Sequence, residues 1–363
     1  MSTQWIVQTH GDPLGTVRHI VHTIWAQAGI QGMLVSLNGE GNSQHNHISN
    51  KPAASTNSQA AYIVNPEQLS QVNPFKPVMS INTARMVPSL LSEYTDSKLG
   101  ALLRPCELRA LIEMVKHSPF SLRNLLTICV DCLGTFSPEE YHWRTRRKES
   151  TLGEPPPDGM SQESLQFARQ GGIMAYRFRP ACQVCESPGA HGADLNIKVF
   201  GLPVRQVILI ETRDVASAER LGISAITDDV AESQLIQQND RILAKAMERH
   251  RRTMDRITQS LGEILPQGVD ELIVQLEKCG ACQSCMNVCP ICSIDAPRRD
   301  RDGHYSRESV VRWLVSCAGC GMCEQACPNH LPLGAIFGHI RKKLDEELDY
   351  TPGRSIEELL PVP

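Results

Sequence analysis

Two runs of cysteine near the end of the 363-residue chain restrict its fold more than any other feature. CGACQSCMNVCP supplies Cys279, Cys282, Cys285 and Cys289, and CAGCGMCEQACP supplies Cys317, Cys320, Cys323 and Cys327. Each reads C-x2-C-x2-C-x3-C-P. Three thiolates at that interval close on three corners of a 4Fe-4S cubane, and the fourth, a helical turn further on, is carried toward the other cluster. The expected ligation is therefore crossed: Cys279, Cys282 and Cys285 with Cys327, and Cys317, Cys320 and Cys323 with Cys289. Each proline ends the turn that aims the fourth sulfur. Paired C-x2-C units also build zinc ribbons, but four-cysteine runs closed by proline and found twice weigh heavily against zinc. Gly280, Gly319 and Gly321 suit backbone that must pass close to inorganic sulfide. Cys292 belongs to neither set and is expected as a small buried residue.

Fourteen cysteines in so long a chain argue for metal rather than a disulfide framework, because the cytosol keeps thiols reduced. The first thirty residues hold no continuous apolar stretch, and no later stretch reaches the roughly 18 to 20 apolar residues of a membrane span. A cytoplasmic protein without a membrane span is expected. A net charge of -4 and a pI near 6.3 give no broad basic field, and aromatic residues are only 5% of the chain. Nucleic acid is therefore excluded as a partner, leaving proteins and small molecules.

The length allows two or more domains. Residues 1–40 alternate strand, helix and strand (WIVQT, LGTVRHIVHTIWAQAG, GMLVSL). A polar, low-complexity stretch at 38–59 reads as a loop, where His45 and His47 are solvated rather than ligands. Further strands are expected at AYIV, LGALL, NLLTICV and RQVILIE, with helices over NTARMVPSLLSEY and ELRALIEMVK. This is an α/β (or α+β) domain over residues 1–230 with a doubly wound or mixed sheet. Residues 231–272 read as a helical connector with a solvated charged face, 273–340 as a ferredoxin-like domain with two 4Fe-4S clusters, and 341–363 as a tail, either a dock for another subunit or a loosely packed terminus.

Four other cysteines fall at strand ends or in loops of the α/β domain: Cys106 in LRPCELRAL, Cys132 in VDCLGTF, and Cys182 with Cys185 in RPACQVCESPG. If the strands before Cys106 and Cys132 are neighbours, their carboxyl ends bring those sulfurs together and the C-x2-C loop supplies the other pair. Two readings stand on spacing alone: a third 4Fe-4S cluster, or four unconnected thiols that include a C-x2-C redox pair. Cys129 is expected in the core. No G-x-G-x-x-G follows a strand, so a Rossmann-type site is not expected.

In that order, RPCELRALIEMVK, NLLTICVDCLGTF, ACQVCE and CGACQSCMNVCPIC resemble the coenzyme F-420 hydrogenase/dehydrogenase beta-subunit family, and within it the formate dehydrogenase beta type, from about residue 80 to 340. The resemblance implies a flavin-binding α/β domain with FAD and favours the third cluster, because Cys106, Cys132, Cys182 and Cys185 fall on the family's cysteines. Arg104, Asp131, Gly134 and Thr135 are the choice for flavin contacts. The N-terminal GDPLGTVRHIV lacks the family's Gly-Gly pair, which puts the deazaflavin contacts in question. The implied partners are a catalytic redox subunit, such as a molybdenum or tungsten formate dehydrogenase alpha subunit or a hydrogenase, and heterodisulfide-reductase-like subunits. Coenzyme F-420 is the implied two-electron acceptor, with FAD converting between one and two electrons. The competing function is an electron relay or docking subunit that has no F-420 site of its own.

Overall fold

The architecture is that of a computed structural model, which describes residues 2–37, 60–118, 120–152, 159–172, 178–227, 229–279 and 282–362. His45, His47 and Gly280 lie outside the described residues. The chain opens with β1 (Thr3–Gln8), α1 (Pro13–Ala28), β2 (Gly32–Ser36) and β3 (Ala60–Ile63). Then come α2 (Val87–Glu93), β4 (Leu99–Leu103), α3 (Pro105–His117) and β5 (Leu125–Val130). Three helices, α4 (Pro138–Leu152), α5 (Gly159–Gln166) and the one-turn α6 (Pro180–Gln183), precede β6 (Leu195–Lys198) and β7 (Val207–Thr212). After α7 (Val215–Arg220) and β8 (Asp229–Val230) the chain is helical: α8 (Ser233–Leu261), α9 (Val269–Lys278), α10 (Ser284–Asn287), α11 (Arg307–Val315), α12 (Met322–Gln325) and α13 (Leu333–Leu348).

The eight strands form one mixed sheet in the order β3-β2-β4-β5-β6-β7-β1-β8. Its centre, β2, β4, β5 and β6, is parallel, while β3 on one side and β7, β1 and β8 on the other each pair antiparallel with their neighbours. LGALL and LLTICV are near-continuous apolar runs because parallel strands at the centre are covered on both faces; every residue of β4 is buried. Helix α1 begins where Asp12 accepts the Gly15 N–H at 2.9 Å and ends at Gly29 in the left-handed region, both ordinary ends for a helix of this length.

One face of the sheet packs Ile128, Ile197 and Ile210 against Ile20, Val21 and Ile24 of α1. On the other face, Leu103, Leu111 and Met114 share a single core with Val310, Leu314, Phe337 and Ile340 of the cysteine-rich region. The two regions are therefore joined by continuous apolar burial. Helix α8, expected as a solvated connector, does present Arg241, Lys245 and Arg252 to solvent, but its opposite face lies on the α/β domain. Asn239 Nδ2 donates to the Phe200 carbonyl at 2.8 Å, and a Cβ added to Gly201 would lie 2.8 Å from the Gln238 carbonyl. Only glycine lets the two backbones approach this closely.

The tail folds back on its own chain. The Tyr350 hydroxyl donates to Glu113 at 2.6 Å, the Gly353 N–H donates to the same carboxylate at 2.7 Å, and Lys116 pairs with it at 2.9 Å. No helix among the described residues is long and apolar enough to cross a membrane.

Candidate iron-sulfur centres

Strands β4 and β5 are parallel neighbours, with Leu103 opposite Cys129, so their carboxyl ends lie side by side. Just beyond β4, Arg104-Pro105-Cys106 starts α3. Proline fits the first helical position, and Glu107 turns back to accept the Arg104 N–H at 2.8 Å and the Thr83 hydroxyl at 2.6 Å. Just beyond β5, the Cys132 N–H donates to the Pro188 carbonyl at 2.8 Å, tying that loop to the one after α6. Cys129 is fully buried in the strand, as its position in the run requires.

Cys106, Cys132, Cys182 and Cys185 all line one cavity of about 40 Å3. Burial, then the neighbouring Cys182, pushes the Cys132 thiol up to about 12, and burial followed by Glu107 raises Cys106 well above its ordinary value. Burial acts the same way on Cys182, but Arg179 and hydrogen bonds from Thr135 outweigh it and bring the net value down. Four thiols facing one cavity resist joint ionisation unless a cation stands among them. Arg179 points the same way. Its side chain is 4% exposed, and no Asp or Glu among the described residues makes ion-pair contact with it; Glu324 acts only from a distance. A guanidinium held in the interior needs an anion beside it, and four thiolates around an iron-sulfur core provide one. The donor set fits a 4Fe-4S cluster.

The cysteine-rich region repeats one turn twice. Gln283 and Gly321 each adopt left-handed backbone, with φ of 49° and 68°, just before the short helices α10 and α12 that carry Cys285 and Cys323. Cys279 lies near Cys282 and Cys327, and Cys285 near Cys279 and Cys282. Cys317, Cys320 and Cys323 each lie near Cys289. These neighbours are compatible with the crossed ligation expected from the spacing. Cys279 and Cys282 are exposed, while Cys327 is buried. Cys323 also lies near Cys285, and Cys320 reaches the cavity of the α/β domain, so the three sets follow one another from the surface inward. Cys292 is half-buried rather than buried, and as a hydrogen-bond partner it holds the Cys289 sulfur below its ordinary value.

Comparison with known proteins bears on the cysteine-rich region and on the chain as a whole. The 4Fe-4S dicluster domain family matches residues 271–332. The F420-dependent formate dehydrogenase subunit beta of Methanocaldococcus jannaschii is 23% identical over 299 residues, which cover 73% of this chain and 76% of the relative. The F420-dependent formate dehydrogenase 1 subunit beta of Methanococcus maripaludis is 24% identical over 298 residues, covering 73% and 75%. Over about 73% of its length the chain is similar to these formate dehydrogenase beta subunits. As in the order of the motifs, a mixed α/β sheet comes first and the dicluster domain second.

The four residues expected at a flavin are engaged within the fold. Arg104 donates to the carbonyls of Lys76 and Val78 at 2.8 and 3.1 Å. The Asp131 carboxylate accepts backbone N–H bonds from Ala190, Val199 and Phe200 at 2.7, 2.7 and 3.0 Å. Gly134 has φ of 98° and faces the Phe178 ring where a Cβ would stand, and the Thr135 hydroxyl serves Arg179 at 2.9 Å and Cys182 at 3.2 Å. Arg104, Gly134 and Thr135 line the sulfur cavity, which at about 40 Å3 is far below the roughly 300–1,000 Å3 of a pocket for a sizeable organic ligand. These four residues do not fit a flavin, because the loops carrying them are folded around sulfur.

Sequence reasoning missed Arg179, Arg109 and His250. Arg109 donates to the carbonyls of Ser187 and Ala318 at 2.9 and 3.0 Å, clamping the loop after α6 to the dicluster region. His250 donates from Nδ1 to the Cys185 carbonyl at 2.7 Å. A signal for Arg179 was present: Arg-Pro stands just before cysteine twice, in RPC at 104–106 and in RPAC at 179–182.

Proposed function

We propose that this chain is the electron-transfer subunit of a multi-subunit oxidoreductase of the formate dehydrogenase beta type, and that it holds three 4Fe-4S clusters in a row. The observation that supports this reading most strongly is the sequence of cysteine sets, from exposed Cys279 and Cys282, through Cys317, Cys320, Cys323 and Cys289, to Cys106, Cys132, Cys182 and Cys185. When bound, the clusters supply one-electron transfer. The protein supplies position, burial and hydrogen bonds. Exposed Cys279 and Cys282 offer the face on which a catalytic subunit docks, of the molybdenum or tungsten formate dehydrogenase or hydrogenase kind. Burial of the inner sets keeps water from them, and Arg109 locks the loops that carry two of them.

The relatives' names supply the acceptor, coenzyme F-420. Exchanging hydride with it takes a flavin, which handles both one and two electrons. The commitment of Arg104, Asp131, Gly134 and Thr135 to the fold favours a second reading, a relay without its own acceptor site. Flavin content of the anaerobically purified complex separates the two, together with formate-driven reduction of F-420 against nicotinamide and viologen. A bound flavin with F-420 reduction supports the first, and iron without flavin and with viologen reduction alone supports the relay.

A further inference from the structure

Arg179 stands between two cysteine sets that come from different parts of the chain. Toward the α/β cavity its Nη2 lies 3.6 Å from Cys182 Sγ and 3.2 Å from Met79 Sδ. Toward the dicluster region its Nη1 lies 3.4 Å from Met322 Sδ and 3.5 Å from Gln325 Oε1, both on α12, the helix that carries Cys323. Nε donates to the Thr135 hydroxyl at 2.9 Å, which fixes the plane of the fork. Cys106 and Cys320, one from each set, both lie within its electrostatic reach and line the same cavity.

The donors of this guanidinium go to sulfur and to neutral oxygen, so its neighbours satisfy its geometry without cancelling its charge. A cluster held by four thiolates is an anion, and each electron added makes it more negative. A fixed positive charge in a medium of low dielectric therefore favours the reduced state.

Resting on the three-cluster reading, we propose that Arg179 is a positioning residue that raises the reduction potential of the cluster at Cys106, Cys132, Cys182 and Cys185, so that the neighbouring cluster at Cys317, Cys320, Cys323 and Cys289 can reduce it. Past Arg179 one electron moves, leaving one side oxidised by one and the other reduced by one, with no proton or bond exchanged.

The test is an anaerobic redox titration of the full chain followed by electron paramagnetic resonance, with Cys132→Ser marking which signal belongs to the inner cluster. Arg179→Gln should keep about twelve irons but leave that signal at least tenfold less reduced at a fixed potential, a fall of about 59 mV for a one-electron couple. Arg179→Lys, which keeps the charge, should stay within about threefold of wild type, while the cluster at Cys279 should not move in either variant. An unchanged midpoint in Arg179→Gln overturns the proposal. Loss of about four irons from both variants also overturns it, in favour of a purely structural role. A wild-type chain with no signal that Cys132→Ser removes would instead sink the three-cluster reading itself, and this proposal with it.

Discussion

Gly321 and Ala181 meet so closely that a Cβ added to the glycine would lie 2.2 Å from the Cβ of the alanine. This contact joins the dicluster region to the loop that carries Cys182 and Cys185, and Gly321 also holds φ at 68°. Gly321→Ala therefore meets both a clash and a left-handed backbone, and should cost about 2–4 kcal/mol. Adding Ala181→Gly should recover the steric part and leave the backbone part, about 1–2 kcal/mol. Thermal unfolding of the two variants checks this. A double variant no more stable than Gly321→Ala alone would show that the contact is not the cause.

Cys132→Ser should lower the iron content by about four per chain while the remaining signals persist. Iron and acid-labile sulfide assays on anaerobic material read this directly. An unchanged count would mean that the four α/β-domain thiols hold no cluster.

Much of this arrangement is legible in the residues, and the parts that are not have physical reasons. The repeated cysteine interval dictates its own crossed partners, because three sulfurs fit one cubane and the fourth lies beyond it. The apolar runs before Cys106 and Cys132 are long enough to read as buried strands, but their adjacency is set by the sheet order and not by any local pattern. Strand β6 escapes such a reading because LNIK is only four residues long and carries Asn and Lys; Asn196 turns its amide back to the Ala193 backbone. The covered face of α8 does carry an apolar signal, since Ile242 and Leu243 pack on Gly201 and Gly189, but those glycines give no sign in their own segments that a helix rests on them. Asp131, Gly134 and Thr135 suggest phosphate contacts by type, but their donors and acceptors are taken by distant loops that no local pattern announces.

Glu113 is fully buried and holds Lys116, Tyr350 and Gly353 together. Glu113→Ala leaves the Lys116 ammonium with only the more distant Glu358 carboxylate, 3.9 Å away, and should cost about 2–4 kcal/mol. Hydrogen exchange should then rise first in residues 349–362. Equal protection of that segment in variant and wild type would contradict the role of Glu113 as its anchor.

Asp345 gives the stability a pH dependence. Burial, followed by repulsion from Glu186, Glu346 and Glu113, outweighs Arg341 and raises its carboxyl from 3.8 to about 6. The folded chain then holds this proton more tightly than the unfolded one. Its favourable contribution is complete below pH 3.8 and is lost as pH rises through about 6. Asp345→Asn, which does not titrate, should match wild type at the acid end and become the more stable of the two toward neutrality. A Tm difference that stays flat from pH 4 to 7 would refute this assignment.

The central claim is that three sets of thiolates make this chain a conductor of electrons from its surface to the carboxyl ends of β4 and β5. Iron and acid-labile sulfide measured on chain purified without oxygen test it most directly. The account predicts about twelve of each per chain. A value of about eight would remove the inner cluster, and traces alone would contradict the account altogether.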